Sequence, residues 1–215
     1  DTFVCDGEYQ AALERILSGY LDRLGGEQAG AWISGFYGSG KSHLVKVLRY
    51  LWTNYEFSDG SKAREIATLP AEVADLFTEL STRGQQGKGV HAAGGTLKAG
   101  SGDVRMRILQ IVFQSVDLPE KYSEARFVMD LRDDGKLDSI RKAITDAGKD
   151  PAEEISKLYT SKALQTAYLA EYPHLGTLPD VGKALREQYP SKMKTITIDE
   201  MVEAIKRALS IDDEL

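Results

Sequence analysis

The sequence has few of the residues that build disulfides and metal sites. Cys5 is the only cysteine, so no disulfide can form within the chain. The three histidines, His43, His91 and His174, are scattered along the sequence, which argues against a structural zinc site. There is no run of about 18 apolar residues and no signal-peptide pattern, so we expect a cytoplasmic protein without a membrane span.

The sequence also lacks an excess of basic residues. It contains 27 Lys and Arg against 33 Asp and Glu, a formal net charge of -6. A surface with this balance does not coat nucleic acid as a whole, so any contact with DNA must be local. The hydrophobic fraction of 42% is close to the globular average and excludes a disordered or fibrous chain.

One segment has the composition and spacing of a phosphate-binding loop. Residues 35–42 read Gly-Phe-Tyr-Gly-Ser-Gly-Lys-Ser and match the pattern G-x-x-x-x-G-K-[ST]. The short apolar run from Ala31 to Ser34 predicts a buried strand before this loop. Apolar residues at helical spacing predict a helix from Lys41 to about Trp52 after it; they are Leu44, Val47, Leu48 and Leu51.

The residue types in the loop match the chemistry of a bound triphosphate. Glycines at 35, 38 and 40 let successive backbone N–H groups approach the phosphates, and the following helix adds the positive end of its dipole. We expect Lys41 to contact the β- and γ-phosphates as the catalytic residue, and the Ser42 hydroxyl to ligate Mg²⁺. ATP and Mg²⁺ are therefore the predicted cofactors. The predicted nucleotide-binding residues are Gly35, Phe36, Tyr37, Gly38, Ser39, Gly40, Lys41, Ser42 and His43.

Three of these positions have alternative interpretations. Phe36 and Tyr37 either pack under the loop or face a base or a partner, and packing is the favoured interpretation. His43 follows the motif inside the predicted helix, where an ordinary helical position is favoured over a role in proton transfer.

The remainder of the chain is predicted to be mostly helical. Apolar residues at helical spacing predict helices over Tyr9 to Leu24, from Pro70 to Gly84, and around Met106 to Val116. Several shorter helices are predicted between residues 122 and 172. No internal repeat and no low-complexity linker divides the chain.

Hydrolysis of ATP also needs an acidic residue at the end of a strand, and two segments are candidates. Asp199 and Glu200 follow a partly apolar run, but Thr197 and Glu200 also form the S/T-x-x-E capping box of a helix, and the helix is favoured. Asp130, at the end of Phe127-Val128-Met129-Asp130, is a weaker candidate because the helical pattern continues through Leu131.

Residues 81–107 form a glycine-rich, basic segment. Five basic residues and one acidic residue give a local charge of +4; they are Arg83, Lys88, Lys98, Arg105, Arg107 and Asp103. A solvated surface loop is the favoured interpretation, and a contact with DNA or an acidic partner is the alternative.

Four stretches of the sequence resemble one known family. Residues 32–44, 69–73, 91–97 and 125–129 resemble the P-loop ATPases of the BREX and Pgl bacteriophage-defence systems, the BrxC and PglY group. The resemblance implies an N-terminal piece of a longer AAA-like ATPase that works beside a DNA methyltransferase and a phosphatase-like protein. It also implies that the acidic strand lies just beyond Leu215.

These observations predict an α/β fold with an AAA-like P-loop NTPase core and a large, mostly helical insertion. The predicted core covers residues 1–60 and the insertion residues 61–215. The expected function is ATP binding, with hydrolysis in the intact protein that drives conformational change in phage defence. The alternatives are a nucleotide-gated scaffold without turnover and a kinase-type phosphoryl transferase. A homo-oligomer is a further expectation, and the lack of a guanine-reading Asn-Lys-x-Asp pattern favours ATP over GTP.

Overall fold

The fold is known from a computed structural model, in which the chain divides into two compact units, Asp1–Gly94 and Gly95–Leu215. The predicted division at residue 60 is a different partition and stays a prediction. The structure describes residues 3–28, 30–87, 89–97, 103–191 and 195–210.

The first unit is a small group of helices around one hydrophobic core. Helix α1 packs against α4, and α4 also contacts α2. Buried residues at helical spacing on α1, α2 and α4 face one another, because each of these helices is apolar on one side. The helices are α1 (Gly7–Leu21), α2 (Lys41–Thr53), α3 (Ala63–Ile66) and α4 (Ala71–Gln86). The core includes Cys5, Leu13, Leu17, Leu44, Leu51, Val73, Phe77 and Leu80.

Arg64 joins three segments of this unit through its guanidinium group. Its Nε donates to the carbonyl oxygen of Leu51 at 2.7 Å, and its Nη1 donates to that of Phe77 at 2.8 Å. Its Nη2 donates to the carbonyl oxygen of Trp52 at 3.0 Å. Two of these acceptors belong to the last turn of α2, where carbonyl groups have no partner inside the helix. The cation therefore ties the end of α2, which points away from the phosphate loop, to α4.

The predicted α/β fold is wrong. In the part of the chain that the structure describes there is no β-strand and no sheet, only the isolated bridges Val4–Thr68 and Glu56–Lys62. The run from Ala31 to Ser34 has no regular secondary structure. A strand requires a neighbour that pairs with its N–H and C=O groups, and an apolar run of four residues cannot show whether that neighbour exists. An AAA-like P-loop core, which depends on a central sheet, is overturned with it.

The second unit is also helical and buries a larger set of residues. Helices α7 and α9, α9 and α10, and α5 and α11 form its main contacts. The helices are α5 (Val104–Gln114), α6 (Tyr122–Asp133), α7 (Leu137–Asp146), α8 (Pro151–Ser156), α9 (Lys162–Glu171), α10 (Leu178–Gln188) and α11 (Ile198–Leu209), with a 3-10 helix at Pro173–Leu175. The larger of its two clusters includes Phe127, Leu131, Ile140, Ile144, Leu164, Val181, Leu185 and Tyr189.

The predicted helices agree well with those observed. The helix predicted from Lys41 to about Trp52 is α2, and the helix predicted to start at Pro70 is α4, whose N-cap is Pro70. Helix α1 ends at Leu21, three residues before the predicted end. Among the described residues, no helix is both long enough and apolar enough to cross a bilayer.

Candidate phosphate-binding site

The loop at residues 35–42 leads directly into α2. Gly38 has φ = 84° and Gly40 has φ = 80°, and Gly40 is the N-cap of α2. Both values lie in the left-handed region, which residues with a side chain rarely adopt. A Cβ atom on Gly40 would also overlap the hydroxyl group of Tyr9. The backbone angle therefore favours glycine at position 40, and a side chain there would also force the Tyr9 hydroxyl to move.

The Lys41 side chain folds back over the loop that precedes it. Its Nζ donates to the carbonyl oxygen of Phe36 at 2.6 Å and to Ser39 Oγ at 3.3 Å. The Ser39 backbone N–H donates to the same Phe36 carbonyl at 3.2 Å, which closes the turn. The ammonium group is thus held above the turn by neutral oxygen atoms.

The first turn of α2 adds positive potential at the same place. Helix α2 is 13 residues long and has no acidic residue in its first turn. Its unpaired N–H groups and its dipole favour an anion at this end. Ser42 lies in this turn and is exposed. Together with Lys41, the helix end gives a cationic, hydrogen-bond-donating surface that can bind an anion.

Tyr9 and Phe3 support the loop, and the sequence analysis did not predict either role. The Tyr9 hydroxyl donates to the Ser39 carbonyl oxygen at 3.4 Å. The Phe3 ring lies with its centroid 5.9 Å from that of Tyr9 and 6.0 Å from that of His43. Both residues lie more than 25 positions before the loop in the sequence, so no local pattern points to them.

The predicted packing of Phe36 and Tyr37 under the loop is wrong. Their side chains are 90% and 106% exposed, and nearby Trp32 is 92% exposed. His43 occupies a helical position in α2, as favoured, and its ring faces Phe3.

Both candidate acidic segments are parts of helices in the second unit. Thr197 and Glu200 form the capping box of α11, which confirms the favoured interpretation of this segment. Asp130 lies in α6, where its Oδ2 accepts from the Tyr189 hydroxyl at 2.8 Å and its Oδ1 from Arg207 Nη2 at 2.7 Å. Both carboxylates therefore have structural partners of their own.

No metal site is preassembled in the described ranges, because they contain no group of three or more His, Cys, Asp or Glu side chains that could hold an ion. Ser42 as a ligand of Mg²⁺ stays a prediction, since a nucleotide-bound ion takes most of its other ligands from phosphate and water.

The described basic residues of the glycine-rich segment have partners within their own units. Arg83 pairs with Glu79 at 3.3 Å, Arg105 Nη1 donates to the Ile196 carbonyl oxygen at 2.7 Å, and Arg107 donates to Gln110 at 2.9 Å. Lys88 and Lys98 lie outside the described residues. The predicted contact with DNA stays a prediction.

No protein-family model matches the chain, and no solved structure matches it. The resemblance to the phage-defence ATPases therefore stays a prediction based on sequence segments.

Proposed function

We propose that residues 35–42 bind the triphosphate of ATP together with Mg²⁺. The observation that supports this most directly is the position of the Lys41 ammonium group, 2.6 Å from the Phe36 carbonyl oxygen at the N-terminus of α2. A phosphate oxygen carries more negative charge than a carbonyl oxygen and is a stronger acceptor for an ammonium group. An incoming phosphate would therefore replace the carbonyl oxygen as the partner of Lys41.

The other donors of the site would bind the same anion. Backbone N–H groups at the start of α2 point toward the loop and have no partner inside the helix. The Ser42 hydroxyl, in the first turn, would complete the coordination of a Mg²⁺ ion carried by the phosphates. The proposed roles are thus phosphate binding for Lys41 and metal coordination for Ser42.

In the intact protein we propose that this binding supports ATP hydrolysis coupled to conformational change in phage defence. The sequence resemblance to the BREX and Pgl ATPases supports this part of the proposal, including a methyltransferase and a phosphatase-like protein as partners. A contact with DNA through residues 81–107 and homo-oligomerisation belong to the same proposal.

One structural observation favours the nucleotide-gated scaffold as the second candidate. Two of the three acidic residues considered for hydrolysis have structural partners in the second unit: Asp130 accepts from Tyr189 and Arg207, and Glu200 belongs to the cap of α11. A chain in which neither Asp130 nor Glu200 positions water would bind ATP and change conformation without turning it over.

Calorimetric titration of Mg-ATP tests the binding site. Because Lys41 would contribute a charged hydrogen bond to phosphate, we expect Lys41→Ala to lower the affinity for Mg-ATP by roughly 10- to 150-fold. The matched control is Lys46→Ala, which removes an exposed lysine of the same helix and should bind as the parent does. Equal affinities for Lys41→Ala and the parent would contradict the proposal.

Phosphate release then separates the two candidate functions. A binding-competent chain that releases phosphate at a rate reduced by Lys41→Ala is an ATPase. Phosphate release no faster than in protein-free buffer, despite measurable binding of Mg-ATP, identifies the scaffold.

A further inference from the structure

The first unit contains a partly open cavity of about 190 Å³ beside α2. Its lining comes from the segment before α1, from one side of α2, and from the segments around α3. The residues that matter most for its chemistry are Phe3, His43, Val47, Tyr50, Phe57 and Ala67.

A chain of side-chain contacts links the lining of the cavity to the phosphate loop. The loop carbonyl of Ser39 accepts from Tyr9, the ring of Tyr9 packs edge-to-face on Phe3, and Phe3 faces His43. Phe3 and His43 both line the cavity. His43 also follows Ser42 directly, and Val47 lies about 9 Å along the helix axis from Lys41.

The lining is mostly apolar and aromatic and offers a phosphate group no charged partner. It contains no Lys, Arg, Asp or Glu, and its polar side-chain groups are the His43 imidazole and the Tyr50 hydroxyl. The rings of Tyr50 and Phe57 lie 5.7 Å apart between centroids. Pockets that enclose a whole small ligand run to roughly 300–1,000 Å³, so a cavity of this size takes only one part of a larger molecule.

We propose that this cavity binds the purine base of the nucleotide whose phosphates occupy residues 35–42. The inference rests on the proposed function and extends it, because it assigns a second subsite on the same helix. Aromatic side chains bind bases by stacking, which requires no charged partner. The apolar cavity would thus supply affinity for the base, while Lys41 and the loop supply affinity for the phosphates.

The first measurement compares Mg-ATP with Mg-tripolyphosphate on the unaltered chain by calorimetry. Tripolyphosphate has the same phosphates and no base. Because stacking contributes about 1 to 3 kcal/mol per base, we expect ATP to bind about 5- to 150-fold more tightly.

The second measurement uses variants in which a larger side chain fills the cavity. Val47→Phe adds a ring to its wall, and Val45→Phe is the matched control, since Val45 is 50% exposed on the same helix and does not line the cavity. We expect Val47→Phe to lower the affinity for Mg-ATP by about 10-fold, because stacking of the base in the cavity is lost. The affinity for tripolyphosphate, which has no base, should be unchanged. Ala67→Leu adds volume from the segment that follows α3 and serves where Val47→Phe does not fold, as judged by circular dichroism.

The outcomes separate the two proposals. If ATP and tripolyphosphate bind equally and neither cavity variant distinguishes them, the base site is overturned and the phosphate site stands. If neither ligand binds the unaltered chain, the proposed function is overturned and the base site with it. A loss of ATP affinity confined to Val47→Phe or Ala67→Leu supports the base site.

Discussion

The phosphate loop of the first unit and the core of the second unit place large aromatic side chains in opposite environments. Around the phosphate loop of the first unit, Trp32, Phe36 and Tyr37 are each at least 90% exposed. In the second unit, Phe127 is fully buried and Tyr189 is 2% exposed. Exposed aromatic rings add little to folding stability, because they gain no shielding from water. The buried aromatic residues therefore stabilise the core of the second unit, whereas the exposed aromatic residues at the phosphate loop are available for contacts with other molecules.

The units also differ in how they use charged groups. In the second unit, Asp130 accepts from both Tyr189 and Arg207, and Arg207 also pairs with Asp133 at 2.5 Å. Burial, followed by the hydrogen bond to Asp130, raises the pKa of the Tyr189 hydroxyl, so it stays a donor at neutral pH. In the first unit, the partners of the Lys41 ammonium among the described residues are neutral oxygen atoms. A charge without a carboxylate partner remains available for an anionic ligand.

The largest expected difference in the free energy of unfolding comes from removing one aromatic ring from each unit. Phe127→Ala leaves a cavity in the core of the second unit and should lower the free energy of unfolding by about 3 to 5 kcal/mol. Phe36→Ala, its counterpart in the first unit, should change it by less than about 0.5 kcal/mol. Urea unfolding followed by circular dichroism measures both. Similar losses for the two variants would remove the contrast in aromatic burial.

A smaller difference is expected from removing one hydroxyl group from each unit. Tyr189→Phe deletes the donor to a charged acceptor, Asp130, and should lower the free energy of unfolding by about 1.5 to 3 kcal/mol. The control is Tyr37→Phe at a fully exposed position, where the change should stay within about 0.5 kcal/mol. Urea unfolding at neutral pH compares the two. If Tyr189→Phe is as stable as the control, the hydrogen bond to Asp130 contributes nothing to stability.

The smallest expected effect concerns the cap of α11 and depends on pH. Hydrogen bonds from the Thr197 backbone and hydroxyl lower the pKa of the Glu200 carboxyl. Because the folded-state pKa is the lower one, this stabilisation is present above the unfolded value of about 4.3 and is lost as pH falls through the folded value. Glu200→Gln should therefore lower the thermal midpoint at pH 7, and the difference from the parent should shrink toward pH 3.

Glu203→Gln is the matched control for this prediction, because Glu203 is exposed on the same helix outside the capping box. Its effect on the thermal midpoint should be small at both pH values. An effect of Glu200→Gln that is equally large at pH 3 and pH 7 would show that ionisation of this carboxyl does not support the cap.

Local patterns predicted the helices and their caps well. The apolar spacing of Leu44 and Leu51 is enough to place α2, and Thr197 with Glu200 is enough to place the start of α11. Helices are predictable in this way because their hydrogen bonds join residues four apart in the chain. The strand predicted at Ala31 to Ser34 failed because its partner would have to come from elsewhere in the chain, and no local pattern reports that partner.

The same distinction holds within the candidate site. The sequence by itself determined the glycine spacing, the lysine and the helix that follows it, since all of these lie within about twenty consecutive residues. Only the tertiary structure decided that Tyr9 and Phe3 support the loop, that Phe36 and Tyr37 are exposed, and that an apolar cavity adjoins His43. These features depend on which distant segments pack together, and packing is set by the shape of the whole core rather than by any single stretch of sequence.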